Sequence, residues 1–174
     1  TSPDEYGHAA VWKDGAVSDL GTIDPPGAQG PGTSSLALDV NDAGRVVGAS
    51  NVDVDFGGLH AFWWQGSGAL RDLGVLDDAV LSPQSMARGV NASGAVVGDS
   101  VRGVGQGEPT QGFRWGGSGA IAPFPTTGEA GDLTLFAVSD TGTRLVGVRG
   151  WDEAAGTGAG IVVTGTRIDT LPFV

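Results

Sequence analysis

The sequence predicts an all-β chain, a β-propeller of four-stranded repeats about 50 residues long, with about three and a half blades in its 174 residues. Three observations carry this. An aliphatic run, an Asn or Ser, a turn ending in Gly and a second aliphatic run ending in Gly recurs at 37–48, 87–98 and 136–147. A Trp-bearing pattern alternates with it: residues 8–20 match 60–73, 111–124 and, most degraded, 159–171. The spacing is nearly constant, since Gly44, Gly94 and Gly142 stand 50 and 48 residues apart, and Trp12, Trp64, Trp115 and Val163 stand 52, 51 and 48 apart.

Taken in order, the hairpins fall at 8–20, 36–48, 60–73, 86–98, 111–124, 135–147 and 159–171. In 36–48, strand-like residues flank Asn41-Asp42-Ala43-Gly44, where Asn suits the opening of a turn and Gly its left-handed close. Asn91-Ala92-Ser93-Gly94 and Ser139-Asp140-Thr141-Gly142 repeat that chemistry, so the Asn or Ser reads as a side-chain cap on its own turn. In the other hairpins Trp12, Trp64 and Trp115 close one strand and Val17, Leu70, Ile121 or Ile168 lies in the return strand. Two hairpins per unit make four strands, A and B from the Asn-Gly hairpin and C and D from the Trp hairpin. A solenoid has shorter coils without paired hairpins, and a sandwich does not repeat one turn chemistry at a fixed period. Four Trp hairpins against three Asn-Gly hairpins leave a half blade, so we expect self-association or a partner chain that completes the ring; linear extension within a larger protein fits equally. No break in the repeat divides residues 1–174 into two domains.

Composition agrees. The 32 Gly fall between short Val, Leu and Ile runs, as many tight turns would place them. No apolar run is long enough to span a bilayer as a helix. A net charge of -11, with 20 acids against 9 basic residues, opposes a nucleic-acid partner, which needs a basic footprint. Without cysteine there is neither a disulfide framework nor a thiolate nucleophile. The opening at Thr1, lacking an initiator Met and a charged-then-apolar leader, is the form expected of a processed or excised chain.

Candidate chemistry is sparse. His8 and His60 occupy equivalent positions in two repeats, which favours a shared structural role over catalysis. Trp12, Trp64 and Trp115 read as packing residues for the same reason, whereas Trp63 and Trp151 break the repeat and are candidate ligand-binding aromatics. Half of the acids fall in the B–C and D–A connections, the longest and least repeated segments. Among them Asp53, Asp55, Glu108, Asp152 and Glu153 are candidate ligand contacts, on a face that otherwise reads as a solvated acidic surface. The sharper reading is a hard-cation site, with Ca2+ the natural ion, built from Asp53 and Asp55 or from Asp77 and Asp78 with loop carbonyls. The run 39–44 has only part of an EF-hand loop, and the hairpin explains it. Nucleophile-elbow, zinc-protease, phosphate-loop and dinucleotide motifs are all missing from the sequence. Asn91-Ala92-Ser93 reads as a glycosylation sequon inside a turn that the repeat already accounts for.

His60-Ala61-Phe62-Trp63-Trp64, Asp72-Leu73-Gly74 and the run 37–48 together resemble the HAF-type extracellular repeat of bacterial proteins, over nearly the whole chain. Copies three and four drift, with Gln111 and Ala159 in the His position and Pro123-Phe124 in place of Asp19-Leu20. The resemblance implies repeat architecture and a secreted or cell-surface location, and carries over no catalytic residue. The expected function is a noncatalytic module that binds a partner through the acidic loop face. The alternatives are a small biosynthetic cyclase or lyase with a site in the axial pocket, and a structural repeat that self-assembles.

Overall fold

The computed structural model describes residues 7–23, 34–52, 58–77, 83–101, 109–124, 132–152, 157–165 and 167–171. They contain fourteen strands and no helix. The first hairpin is β1 (Ala10–Lys13) with β2 (Ala16–Asp19). Three four-stranded antiparallel meanders follow. Sheet I holds β3 (Ser35–Val40), β4 (Val46–Asn51), β5 (Leu59–Trp64) and β6 (Arg71–Gly74). Sheet II holds β7 (Ser85–Val90), β8 (Val96–Val101), β9 (Thr110–Trp115) and β10 (Ala122–Pro123). Sheet III holds β11 (Leu133–Val138), β12 (Arg144–Asp152), β13 (Thr157–Thr164) and β14 (Arg167–Thr170). The seven hairpins read from the sequence are thus all present, two to each sheet and one left over.

The recurrent residues explain why each copy folds alike. Gly44, Gly94 and Gly142 close their turns at φ of 73°, 88° and 68°, the left-handed region a side chain disfavours. The first strand of every sheet carries a bulge, at the step from Ala37 to Asp39, from Ala87 to Gly89 and from Leu135 to Ala137. The Gly that ends each Val-Val-Gly run answers a different need. A Cβ at Gly98 would collide with the Met86 carbonyl and lie 2.9 Å from the Phe113 ring; a Cβ at Gly48 would meet the Leu36 carbonyl and Phe62 in the same way. That open space lets the large ring on the third strand lie flat across the second.

Each sheet presents a leading face to the element before it and a trailing face to the one after, and side chains alternate between them. Val46 and Phe62, on the leading face of sheet I, pack with Ala9 and Leu20 of the first hairpin. Val47, Ala61 and Leu73, on its trailing face, pack with Ala87, Val96, Phe113 and Trp115 of sheet II. Val97 and Phe124 then pack with Leu133, Leu135, Leu145 and Ile161 of sheet III. Burying each of the aromatic side chains Phe62, Phe113 and Trp115 contributes roughly 2–3 kcal/mol.

Because backbone rather than a flexible side chain fills the space beside Gly98, Gly98→Ala should lower stability by about 2 kcal/mol or more in urea unfolding. Gly116→Ala, which meets nothing, should change it by less than about 0.5 kcal/mol.

Candidate functional site

Polar side chains among the described residues are engaged in holding strands and sheets together. His8 at the entry to β1 sits 3.0 Å, by its Nδ1, from the Asp19 carboxylate after β2 begins its exit, and His60 sits 3.0 Å from Asp72 in the same way. The aspartates also accept the Gly21 and Gly74 N–H groups, at 2.8 and 2.7 Å. The Asp-Leu-Gly segment is therefore a strand-end clamp, and the structural reading of both histidines matches this geometry. In the third copy Gln111 replaces the histidine and donates from Nε2 to the Phe124 carbonyl at 3.1 Å. The hydrogen bond from His8 and that from Gly21 hold Asp19 below the usual carboxylate value of 3.8, burial opposing them. Burial pushes Asp72 upward, but the bonds from His60 and Gly74 outweigh it and the net shift is downward.

A second set of polar contacts ties one sheet to the next. Asn41 accepts the Ala43 and Arg45 N–H groups on Oδ1 and donates from Nδ2 to the Asn91 carbonyl at 2.8 Å. Asn91 repeats this, accepting from Ala95 and donating to the Ser139 carbonyl at 3.0 Å. Ser139 keeps the turn cap, accepting from Arg144 N–H, but has no amide to pass on. The buried amide of Asn91 is thereby fully engaged, which removes it from the glycosylation reading. Serines on first strands provide a parallel clamp, as Ser35 accepts from Ala9 N–H and Ser85 from Ala61 N–H, each at 2.8 Å. At the third junction Leu133 takes the serine position and fills the space over Gly112, where a Cβ would lie 2.9 Å from its Cδ2. Asp39, the first residue of the EF-hand-like run, accepts from Val90 N–H at 2.8 Å.

One buried ion pair departs from the repeat. Asp99 on β8 pairs with Arg88 Nε at the bulge of β7, and the Arg88 guanidinium lies 5.7 Å from the centroid of the Phe136 ring. Burial pushes the Asp99 carboxyl above the usual value although Arg88 opposes it.

The ligand-binding and metal candidates are placed as follows. Asp53, Asp55, Asp78, Glu108 and Glu153 lie outside the described residues. Trp151 and Asp152 end β12, and their side chains lie outside the description too. Asp77 is half-buried at the end of its segment. No group of three or more His, Asp or Glu able to hold a metal occurs among the described residues. Trp63 is half-buried on the trailing face of sheet I, 5.5 Å from the Trp115 ring at 54°, with Arg71 at 5.0 Å on the other ring. Its buried Nε1–H has no hydrogen-bond partner among the described residues.

The half blade is expected from the sequence; what sequence reasoning missed is which side chains it leaves exposed. Trp115 is 1% exposed, yet Trp12, its equivalent in the first hairpin, is 71% exposed. Val40 and Val90 pair identically with Val46 and Val96, and are 59% and 7% exposed. At the other end, Val146 holds the position of the fully buried Val47 and Val97 and is 43% exposed; Leu171, next to Gly160, is exposed as well. Between the first hairpin and sheet I runs a groove of about 290 Å³ lined by Val11, Trp12, Ala37, Leu38, Val40 and Val46. The sequence held the signal, because a copy count of four against three marks where the cover stops. No family model, curated protein or solved structure matches the chain.

Two measurements follow from the polar contacts. Asp19 and Asp72 stabilise the fold above the unfolded-state value near 3.8, and that contribution is lost as pH falls through their lower folded values. Asp72→Asn should flatten the acid limb of the stability profile, read from urea midpoints between about pH 6 and pH 2. Asn91→Asp keeps the turn cap but loses the amide donations to the Ser139 and Asp140 carbonyls and buries a charge, and should cost about 2 kcal/mol or more, against about 1 kcal/mol for Asn91→Ser.

Proposed function

We propose that this chain is a noncatalytic repeat module of the β-propeller type, secreted or surface-exposed, that binds another protein chain. The observation that carries the reading is the contrast between equivalent positions: side chains buried between sheets I and II stand exposed at the first hairpin, on the first strand of sheet I and on the last sheet. Exposed apolar surface of this kind marks an interaction site. Support for the blade geometry comes from the four-stranded meanders, their face-to-face packing and the regular copy length. The resemblance to the HAF-type repeat supports the location. The polar pairs argue for binding over catalysis, since His8, His60, Asn41 and Asn91 all serve copies of one structural device. The acidic connections form the other proposed contact face, with Ca2+ as the ion they would hold.

Light scattering at rising protein concentration, in Ca2+ and again in EDTA, tests the reading. We expect the apparent mass to rise with concentration and to fall back when Val146→Lys and Leu171→Lys are introduced, because both residues are exposed and their replacement leaves the fold intact. A change in EDTA would assign the acidic connections to an ion site. A monomer at all concentrations that also fails to bind an apolar dye would overturn the reading.

A further inference from the structure

We infer that the groove between the first hairpin and sheet I is a receptor for an added β-hairpin of the chain's own Asn-x-x-Gly class, donated as strands A and B of the incomplete first sheet. The inference rests on the binding reading above and names the occupant of one surface.

Internal repetition shows what covers this surface elsewhere. β1 is equivalent to β5 and β9, the third strands of their sheets, and β2 is equivalent to β6 and β10. In sheets I and II the third strand pairs along one edge with the fourth strand and along the other with the second. β1 pairs with β2 alone, so among the described residues its second edge carries no strand. An incoming strand B would form that ladder by β-augmentation.

The face that such a hairpin would cover is prepared in three respects. First, Ala37, Val40 and Val46 occupy the positions of Ala87, Val90 and Val96, which pack against the first three strands of the preceding sheet. Second, the Asn41 carbonyl accepts only the Gly44 N–H among the described residues, whereas its counterpart on Asn91 accepts both the Gly94 N–H and the amide of Asn41. An Asn in the donated turn would complete that pattern. Third, Val40 is 59% exposed where its counterpart Val90 is 7% exposed.

A second copy of this chain is a poor donor. All three of its Asn-Gly hairpins already pair with the third strand of their own sheets, and releasing one would dismantle a complete sheet. The occupant is therefore a hairpin with an aliphatic trailing face and an Asn-opened turn, supplied from outside the seven hairpins described.

The test uses the 174-residue chain and a synthetic peptide of residues 84–101, the hairpin of sheet II, titrated by calorimetry with amide chemical shifts followed in parallel. Saturable binding is expected, with shifts confined to Ala10–Lys13 and to 37–46. Val40→Lys in the protein, a substitution at an exposed position, should weaken binding by about tenfold or more, as should Asn91→Ala in the peptide. The Gly98→Ala peptide should fail to bind. Absence of binding, binding indifferent to Val40→Lys and to the Asn91→Ala change, shifts centred on sheet III, or a dimer of the chain that buries β1 would each overturn the inference. Concentration-dependent association that persists in the absence of peptide binding would leave the module reading standing and remove this one alone.

Discussion

Each four-stranded sheet in this protein has two apolar faces, and a sheet of some twenty short-strand residues can bury them only against neighbours of its own kind. That constraint organises the rest. It explains why the leading-face residues Val46, Val96 and Leu145 and the trailing-face residues Val47 and Val97 are fully or nearly fully buried. It also explains why the copies cannot drift independently, since a change on one trailing face is felt by the next leading face. The third junction records such a change. Where Ser85 meets Ala61 across the second junction, Leu133 meets Gly112 across the third, a larger side chain on one sheet matched by a missing one on the other. A clamp by hydrogen bond has become a clamp by packing.

Directional contacts set the phase of that packing. Hydrophobic faces alone would tolerate sliding of one sheet over another, because apolar attraction has little angular preference. The Asn41 to Asn91 to Ser139 series and the serine clamps fix the turns and the first strands in register. The strand-end clamps of His8 with Asp19 and His60 with Asp72 act within a sheet instead, pinning the fourth strand to the third. The two kinds of polar contact thus divide the labour: one holds a sheet together at its outer strands, and the other positions it against the next.

The strand plan was legible because Gly and Asn at fixed spacing report backbone geometry directly. Gly44, Gly94 and Gly142 could be read as left-handed turn residues, and the Asn caps as caps, without any knowledge of neighbours. The second half of each Asn's role, the amide donation to the next copy, could not be read, because it depends on where turns about 50 residues apart meet in space. The roles of the tryptophans split for the same reason. Trp12, Trp64 and Trp115 look identical along the chain, but exposure is decided by what stands beyond the strand, and only Trp115 is fully enclosed. Trp63, singled out as a break in the repeat, proves to fill the space between sheets I and II against Trp115. The Arg88 and Asp99 pair gave no signal at all, since neither residue recurs and their meeting follows from the bulge in β7.

The amide series runs in one direction, because each Asn donates forward to a carbonyl and Ser139 has no amide to donate. This asymmetry bears on how such a chain can lengthen over generations. An in-frame duplication of a unit carrying Asn41 or Asn91 inserts another donor and another acceptor, and the series continues through the new copy unbroken. A duplication that places the Ser139 unit in the interior interrupts it, and the turn after that point loses its amide tie. The drift of Phe136 to Gly147 away from the Asn pattern thus falls in a copy with no further Asn-type turn after it among the described residues.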